Sequence, residues 1–214
     1  MKPLESFTLA DLRNDMQECR PDLANLANSI LAKTHEEFIR VLYSDIDTCI
    51  GLMEQDPSVR KNDGEDRLTE DLKVGLIMRG YQVSHDEKIG GHADLVVRHR
   101  NLAYIWLGEA KIHDSDYDYL LQGFQQLCTR YAPGTPGTNQ GGMIIYIRQA
   151  KAALIIGRWR DYLQTLSLDD YSDNDCSSRS GLAFFSTHTH ESSGLPYTVR
   201  HMAVVLHFDP KDRR

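Results

Sequence analysis

The sequence predicts an α/β fold, a mixed central sheet flanked by helices, with an N-terminal helical extension. Three observations carry this expectation. Apolar residues recur at helical spacing through the first fifty positions, and from residue 81 onward strand-like runs alternate with helical ones. The run LAYIWLGEAK, Leu102–Lys111, is largely apolar on both faces, the mark of a strand covered by two layers. With 214 residues, 41% of them hydrophobic, the chain has material for a real core and is not disordered as a whole.

The elements follow in order. Leu23, Leu26, Ala27, Ile30 and Leu31 share one helical stripe. Thr34 followed by Glu37 reads as a capping box opening a second helix, continued by Phe38, Val41, Leu42, Asp45/Ile46, Cys49/Ile50 and Met53. Residues 1–56 are therefore expected to form a helical element that buries its stripe by packing on the rest of the chain or by oligomerisation. A polar break, Gln55–Gly64, separates it from a domain over 64–214. Glu65–Gly80 places Leu68, Leu72, Leu76 and Arg79 on one helical face and ends at a glycine. Strands are expected at Tyr81–Ser84, His92–Arg98 and Leu102–Ile112, with Asn101 in a turn. A helix over Tyr117–Tyr131, a turn-rich loop over Pro133–Gly142 and a buried strand over Met143–Arg148 come next. Ala150–Leu166 reads as a helix with Ile155, Trp159, Tyr162 and Leu166 on one side. The acidic stretch Leu168–Ser180 reads as a surface loop, and Gly181–Thr187 and Thr198–Phe208 as final strands.

Composition narrows the function classes. The longest apolar runs, Ala152–Ile156 and Met202–Leu206, fall far short of the ~20 residues of a membrane span. The opening MKPLESFTLADLR has no apolar stretch behind Lys2, so no secretory signal is expected. Four scattered cysteines, Cys19, Cys49, Cys128 and Cys176, lack the spacing of a zinc site and suit a reducing cytoplasm. The net charge of −7 runs against a stand-alone nucleic-acid binder, which draws affinity from phosphate neutralisation. Any such affinity must come from a local patch, a bound cation or a partner.

One constellation carries chemistry. Along Leu102–Ile112, alternation places Ile105, Leu107, Glu109 and Lys111 on one face, so a carboxylate and an ammonium share the end of a dry strand. If His92–Arg98 is the neighbouring strand, Asp94 comes close to Glu109. Two carboxylates ~4 Å apart repel by about 4 kcal/mol at an effective dielectric of 20, which a proton, Lys111 or a divalent cation must offset. Hard oxygen ligands suit Mg2+ or Mn2+.

Glu65 on a helix, Asp94 in GHADLVV, Glu109-Ala110-Lys111 ending an apolar strand, and a following helix with QGFQQLCTRY resemble, in that order, the PD-(D/E)XK nuclease superfamily over roughly residues 64–148. The resemblance implies a restriction-endonuclease-like fold and a metal-dependent endonuclease acting on DNA, as in prokaryotic defence or restriction-type systems. It implies that Asp94 and Glu109 hold Mg2+ or Mn2+, with the Ala110 carbonyl as a further ligand and Glu65 reaching the ion directly or through water. Lys111 would orient or help deprotonate the attacking water and steady charge on the phosphate. Gln126 matches a site-orienting glutamine, with Gln122 and Gln125 as rivals. Ala93 stands where the superfamily pattern has proline.

Other residues have plainer readings beside functional ones. Asp94, Glu109 and Lys111 could form a structural charge cluster. Glu65 is favoured over Glu70, which is turned about 140° away on the helix. His92 shares a face with Asp94, and Arg98 and Arg100 flank a hairpin tip; these are expected substrate contacts, with solvated surface as the alternative for the arginines. Arg148, Lys151, Arg158 and Arg160 have the same two readings. His188 and His190 alternate on a strand face, which would suit metal ligands, but they lack an evident third ligand and read as plain surface residues at a strand end. The expected partners are DNA and either further copies of the chain or a partner protein. The alternative is a non-catalytic DNA-binding or assembly subunit that keeps the fold.

Overall fold

The computed structural model describes residues 6, 8–18, 20–84, 87–88, 92–100 and 103–212. Cys19, Asn101, Leu102 and the side chain of His92 lie outside the described residues, and so do the expectations placed on them. Three helices open the chain: α1 (Leu9–Asp15), α2 (Pro21–Leu31) and α3 (His35–Glu54). Thr34 caps α3, its Oγ1 accepting the Glu37 N–H at 3.2 Å. The expected box closes differently, because the Glu37 carboxylate accepts the N–H of Lys33 at 2.8 Å. A 3-10 turn, Pro57–Arg60, leads through the polar break into α4 (Glu65–Met78).

Next come β1 (Gln82–Ser84), the short hairpin β2 (Glu87–Lys88) and β3 (His92–Ala93), β4 (Leu95–Arg98) and β5 (Ile105–His113). They lead to α5 (Asp118–Gln125), β6 (Gln140–Ile147), α6 (Ala152–Gln164), β7 (Ser172–Asp175), β8 (Ala183–Thr189) and β9 (Pro196–Val205). Among the described residues the large sheet has the order β1-β4-β5-β6-β9-β8-β7. The central strands β5, β6 and β9 run parallel, and the pairs outside them are antiparallel. The chain is thus α/β with a mixed sheet between helices.

The alternation of buried strand residues sends side chains to two cores. On one face Trp106, Ala110, Ile144, Tyr146, Met202 and Val204 pack with Phe38, Leu42, Ile46 and Ile50 of α3 and Leu68, Leu72 and Leu76 of α4. On the other, Leu107, Met143, Ile145, Val199 and Ala203 pack with Leu120, Phe124 and Leu127 and with Ile156, Trp159 and Leu163 of α6. The stripe of α3 is therefore buried within the chain. Gly142 matters to this packing, since a Cβ there would lie 2.4 Å from the Trp106 ring.

Three local expectations are corrected. Leu168–Ser180 is not all loop: Ser172–Asp175 pairs with β8 as the edge strand β7. Its acids are held by Arg160, which donates to Asp173 and to Asp175 at 2.6 Å each. The α6 stripe is rotated, with Ala152, Ile156, Trp159 and Leu163 buried and Ile155, Tyr162 and Leu166 at its margin. The turn-rich stretch also ends early, because Gln140–Gly142 already pairs with Thr198–Arg200. Among the described residues, no helix is long and apolar enough to cross a membrane.

Candidate active site at the end of strand β5

Antiparallel pairing of β4 with β5 sets Leu95 opposite Gly108, so Asp94, at the break between β3 and β4, comes level with Glu109. Its Oδ2 accepts the Ala110 N–H at 2.8 Å, pinning the carboxylate to β5. Glu65, the first residue of α4, reaches the same strand, and its Oε2 accepts the Ile112 N–H at 2.7 Å. Two acids from elsewhere in the chain are thereby fixed to Ala110 and Ile112 of the strand end that carries Glu109.

Lys111 stands at their centre. Its Nζ donates to Glu109 Oε1 at 2.6 Å and to the Ala110 carbonyl at 3.1 Å. Glu65 Oε1 lies 3.5 Å from it and Asp94 Oδ2 3.8 Å. Helix α5 can close over this ammonium because Gly123 faces it: a Cβ there would sit 2.9 Å from Lys111 Cγ. Tyr119, one turn earlier on α5, completes the wall. Its hydroxyl donates to Glu65 at 3.2 Å, and its ring centroid is 5.3 Å from the ammonium.

Three carboxylates against one ammonium leave the cluster with excess negative charge. Burial and then the Asp94 charge push the Glu109 carboxyl up to about 7, against the pull of Lys111. Burial works against the Lys111 ammonium, but Glu109, Asp94 and Glu65 outweigh it and raise its pKa, so the amine stays protonated at neutral pH. Burial and Glu65 raise the Tyr119 phenol. Glu109 is 1% exposed, and its Oε2 has no hydrogen-bond partner among the described residues. An unsatisfied buried carboxylate oxygen costs free energy that an incoming cation would recover.

The donor set fits a hard divalent ion in a limited way. Among the described residues, no three metal-ligating side chains converge on one point. Glu65 is engaged by Ile112, Tyr119 and Lys111, and the Ala110 carbonyl by Lys111. What remains is the orphaned Glu109 Oε2 beside Asp94. One or two carboxylates, completed by waters and substrate phosphate, is the usual way a protein holds Mg2+.

Other expected residues lie apart. Gln126 opens a π-helical turn, Gln126–Tyr131, that continues α5. With Gln122 and Gln125 it lines a shallow polar groove beside Thr129 and Arg130, so position does not single it out from its rivals. Arg98 is at the far end of β4, roughly 13 Å from Asp94 at ~3.3 Å per residue. Arg100 donates to the Gly80 carbonyl at 2.9 Å. The structure does not bring this pair to the acids. Arg148 donates to the Arg60 carbonyl at 3.3 Å, and Arg160 is paired with Asp173 and Asp175, so neither stands as an open phosphate patch. Glu70 pairs with Lys73 at 3.0 Å, away from the site. His188 and His190 are buried, not surface residues. Sequence reasoning misses Tyr119; its i, i+4 relation to Gly123 puts both on one side of α5, a signal that points to the site only once Gly123 is known to face Lys111. No family model matches this chain, and neither a curated protein nor a solved structure matches it significantly.

Proposed function

We propose that the chain is a divalent-cation-dependent nuclease that hydrolyses DNA phosphodiester bonds on a restriction-endonuclease-like fold. The observation that carries this reading is the gathering of Glu65, Asp94 and Glu109 within 4 Å of the Lys111 ammonium, with a buried Glu109 oxygen left unpartnered. Asp94 and Glu109 would hold Mg2+ or Mn2+. A cation bound there would neutralise phosphate charge and make water a better nucleophile, the assistance that the high barrier to phosphodiester hydrolysis demands. Asp94 is kept in place by the Ala110 N–H, and Glu65 by the Ile112 N–H and Tyr119 hydroxyl.

The raised pKa of Lys111 favours one of its two expected roles. A persistent ammonium orients the nucleophile and steadies charge developing on the phosphate; it is a poor proton acceptor. The net charge of −7 supports a further part of the proposal, that assembly of several copies or a partner protein supplies the positive surface that holds DNA. The second reading, a non-catalytic subunit, draws support from Lys111 filling the centre of the acids. The two separate in a cleavage assay on supercoiled plasmid, linear DNA and RNA with Mg2+, Mn2+ or EDTA. Cation-dependent cutting that disappears in folded Asp94→Ala and Lys111→Ala supports the enzyme. Cutting that persists in both variants contradicts it.

A further inference from the structure

We infer that the Lys111 ammonium is the site's own resident cation, which competes with the divalent ion for the same oxygens and keeps the site shut to it until the amine gives way. The inference rests on the nuclease reading above and concerns how that site is regulated.

Lys111 meets every member of the expected ligand set. Its Nζ lies 2.6 Å from Glu109 Oε1, 3.1 Å from the Ala110 carbonyl, 3.5 Å from Glu65 Oε1 and 3.8 Å from Asp94 Oδ2. A lysine that only oriented water would stand beside the ligands; this one stands among them. The acids are spaced around its nitrogen, and among the described residues no three metal-ligating side chains converge on a point of their own.

Packing holds the ammonium there as well as charge. A Cβ on Gly123 would lie 2.9 Å from Lys111 Cγ and 3.1 Å from Cε, so the buried stem runs against bare backbone of α5. The Tyr119 ring centroid closes the other side at 5.3 Å. So placed, the ammonium screens the mutual repulsion of three carboxylates, the task a divalent ion would otherwise perform. An arriving ion meets two obstacles. The ammonium repels it across a few ångströms of protein, where solvent screening is weak. It also occupies two oxygens, because its N–H groups are given to Glu109 Oε1 and the Ala110 carbonyl. Glu109 Oε2, without a partner among the described residues, is the foothold left for the ion. A full coordination shell from this ligand set requires the amine to withdraw.

The test is Mn2+ binding at neutral pH, followed by electron paramagnetic resonance on the full chain and on Lys111→Met, which keeps an unbranched stem and drops the charge. The expected result is an affinity at least tenfold higher in Lys111→Met, although that variant cuts no DNA, and no binding in Glu109→Gln. A second measurement needs no ammonium-free variant and decides alone if Lys111→Met does not fold. In the parent protein, nuclear magnetic resonance follows the Lys111 ammonium protons, whose exchange with water should quicken several-fold as Mg2+ saturates the site and their hydrogen bonds break. An affinity in folded Lys111→Met no higher than the parent's, or ammonium protons unaffected by bound Mg2+, overturns the competition and leaves the nuclease reading standing. No Mn2+ binding to either protein, or binding that survives Glu109→Gln, overturns both.

Discussion

Two buried polar regions on the α5/α6 side of the sheet are built to opposite specifications. Around His201, Trp159 Nε1 donates to Nδ1 at 3.0 Å and the Ser186 hydroxyl meets Nε2 at 2.9 Å. Because indole can only donate, His201 is the neutral tautomer with its proton on Nε2, and both ring nitrogens are satisfied. Around Lys111, three acids face one ammonium and Glu109 Oε2 has no partner. The histidine cluster spends its polarity on holding the core together. The acid cluster keeps charge in excess and an oxygen in reserve, an arrangement that stability alone would not favour.

The largest expected effect is on the acid side. Lys111→Ala and Asp94→Ala should each lower DNA cleavage by roughly 10²–10³-fold or more, with the circular dichroism spectrum unchanged. Cleavage within a few-fold of the parent would remove the chemical distinction between the regions. His201→Ala should do the converse. It leaves a cavity, an unpartnered Trp159 N–H and an unpartnered Ser186 acceptor in a dry core, so unfolding free energy should drop by about 3–5 kcal/mol in urea titration. A loss under 1 kcal/mol would deny the cluster its structural role.

The regions should also respond oppositely to pH. Burial, with the neighbouring His190 charge, depresses His188 to about 4; burial, with His188, depresses His201 to about 3. Both remain neutral in the fold while the unfolded chain takes up protons near 6.5. Their contribution is complete above pH 6.5 and is lost as pH falls through 4 towards 3. Glu109 acts in reverse: its raised pKa makes the fold lose stability as pH climbs from about 4.5 through 7. Stability should therefore fall on acidification from pH 6.5 to 4.5, and fall more steeply in Glu109→Gln. Parallel profiles for the two proteins would contradict this.

Glu109→Gln should in addition stabilise the cation-free protein at pH 7 by about 1–3 kcal/mol while abolishing cleavage. A destabilised variant would show that the Lys111 contact outweighs the buried charge. The smallest effect belongs to Tyr119→Phe, which removes one hydroxyl from Glu65 and should slow cleavage about 3- to 10-fold, or about 1 kcal/mol. No change would make Tyr119 a bystander.

Much of the acid cluster was legible in sequence, because strand alternation and a charged pair on a dry strand are local signals. Glu109 and Lys111 share a face by period two, and the Leu68–Leu72–Leu76 stripe oriented Glu65. What stayed hidden depended on neighbours distant in the chain. That β7 is a strand follows from Arg160 and Gln164 on α6 gripping Asp173, which no property of an acidic run foretells. His188 and His190 looked like strand-end surface residues, yet Phe124 and Tyr197 cover His188, and the His190 ring lies against Gly134 and Tyr197. Lys111 was expected beside a cation; its central place among the acids emerges only when α4, β4 and α5 converge.

The central claim is that the Glu109–Asp94 pair holds a divalent ion. It is tested most directly by anomalous diffraction from crystals soaked in Mn2+. A single manganese peak within coordination distance of Glu109 Oε2 and Asp94, absent from Glu109→Gln crystals, is the predicted result. No peak, or one bound equally well in the variant, would contradict the account.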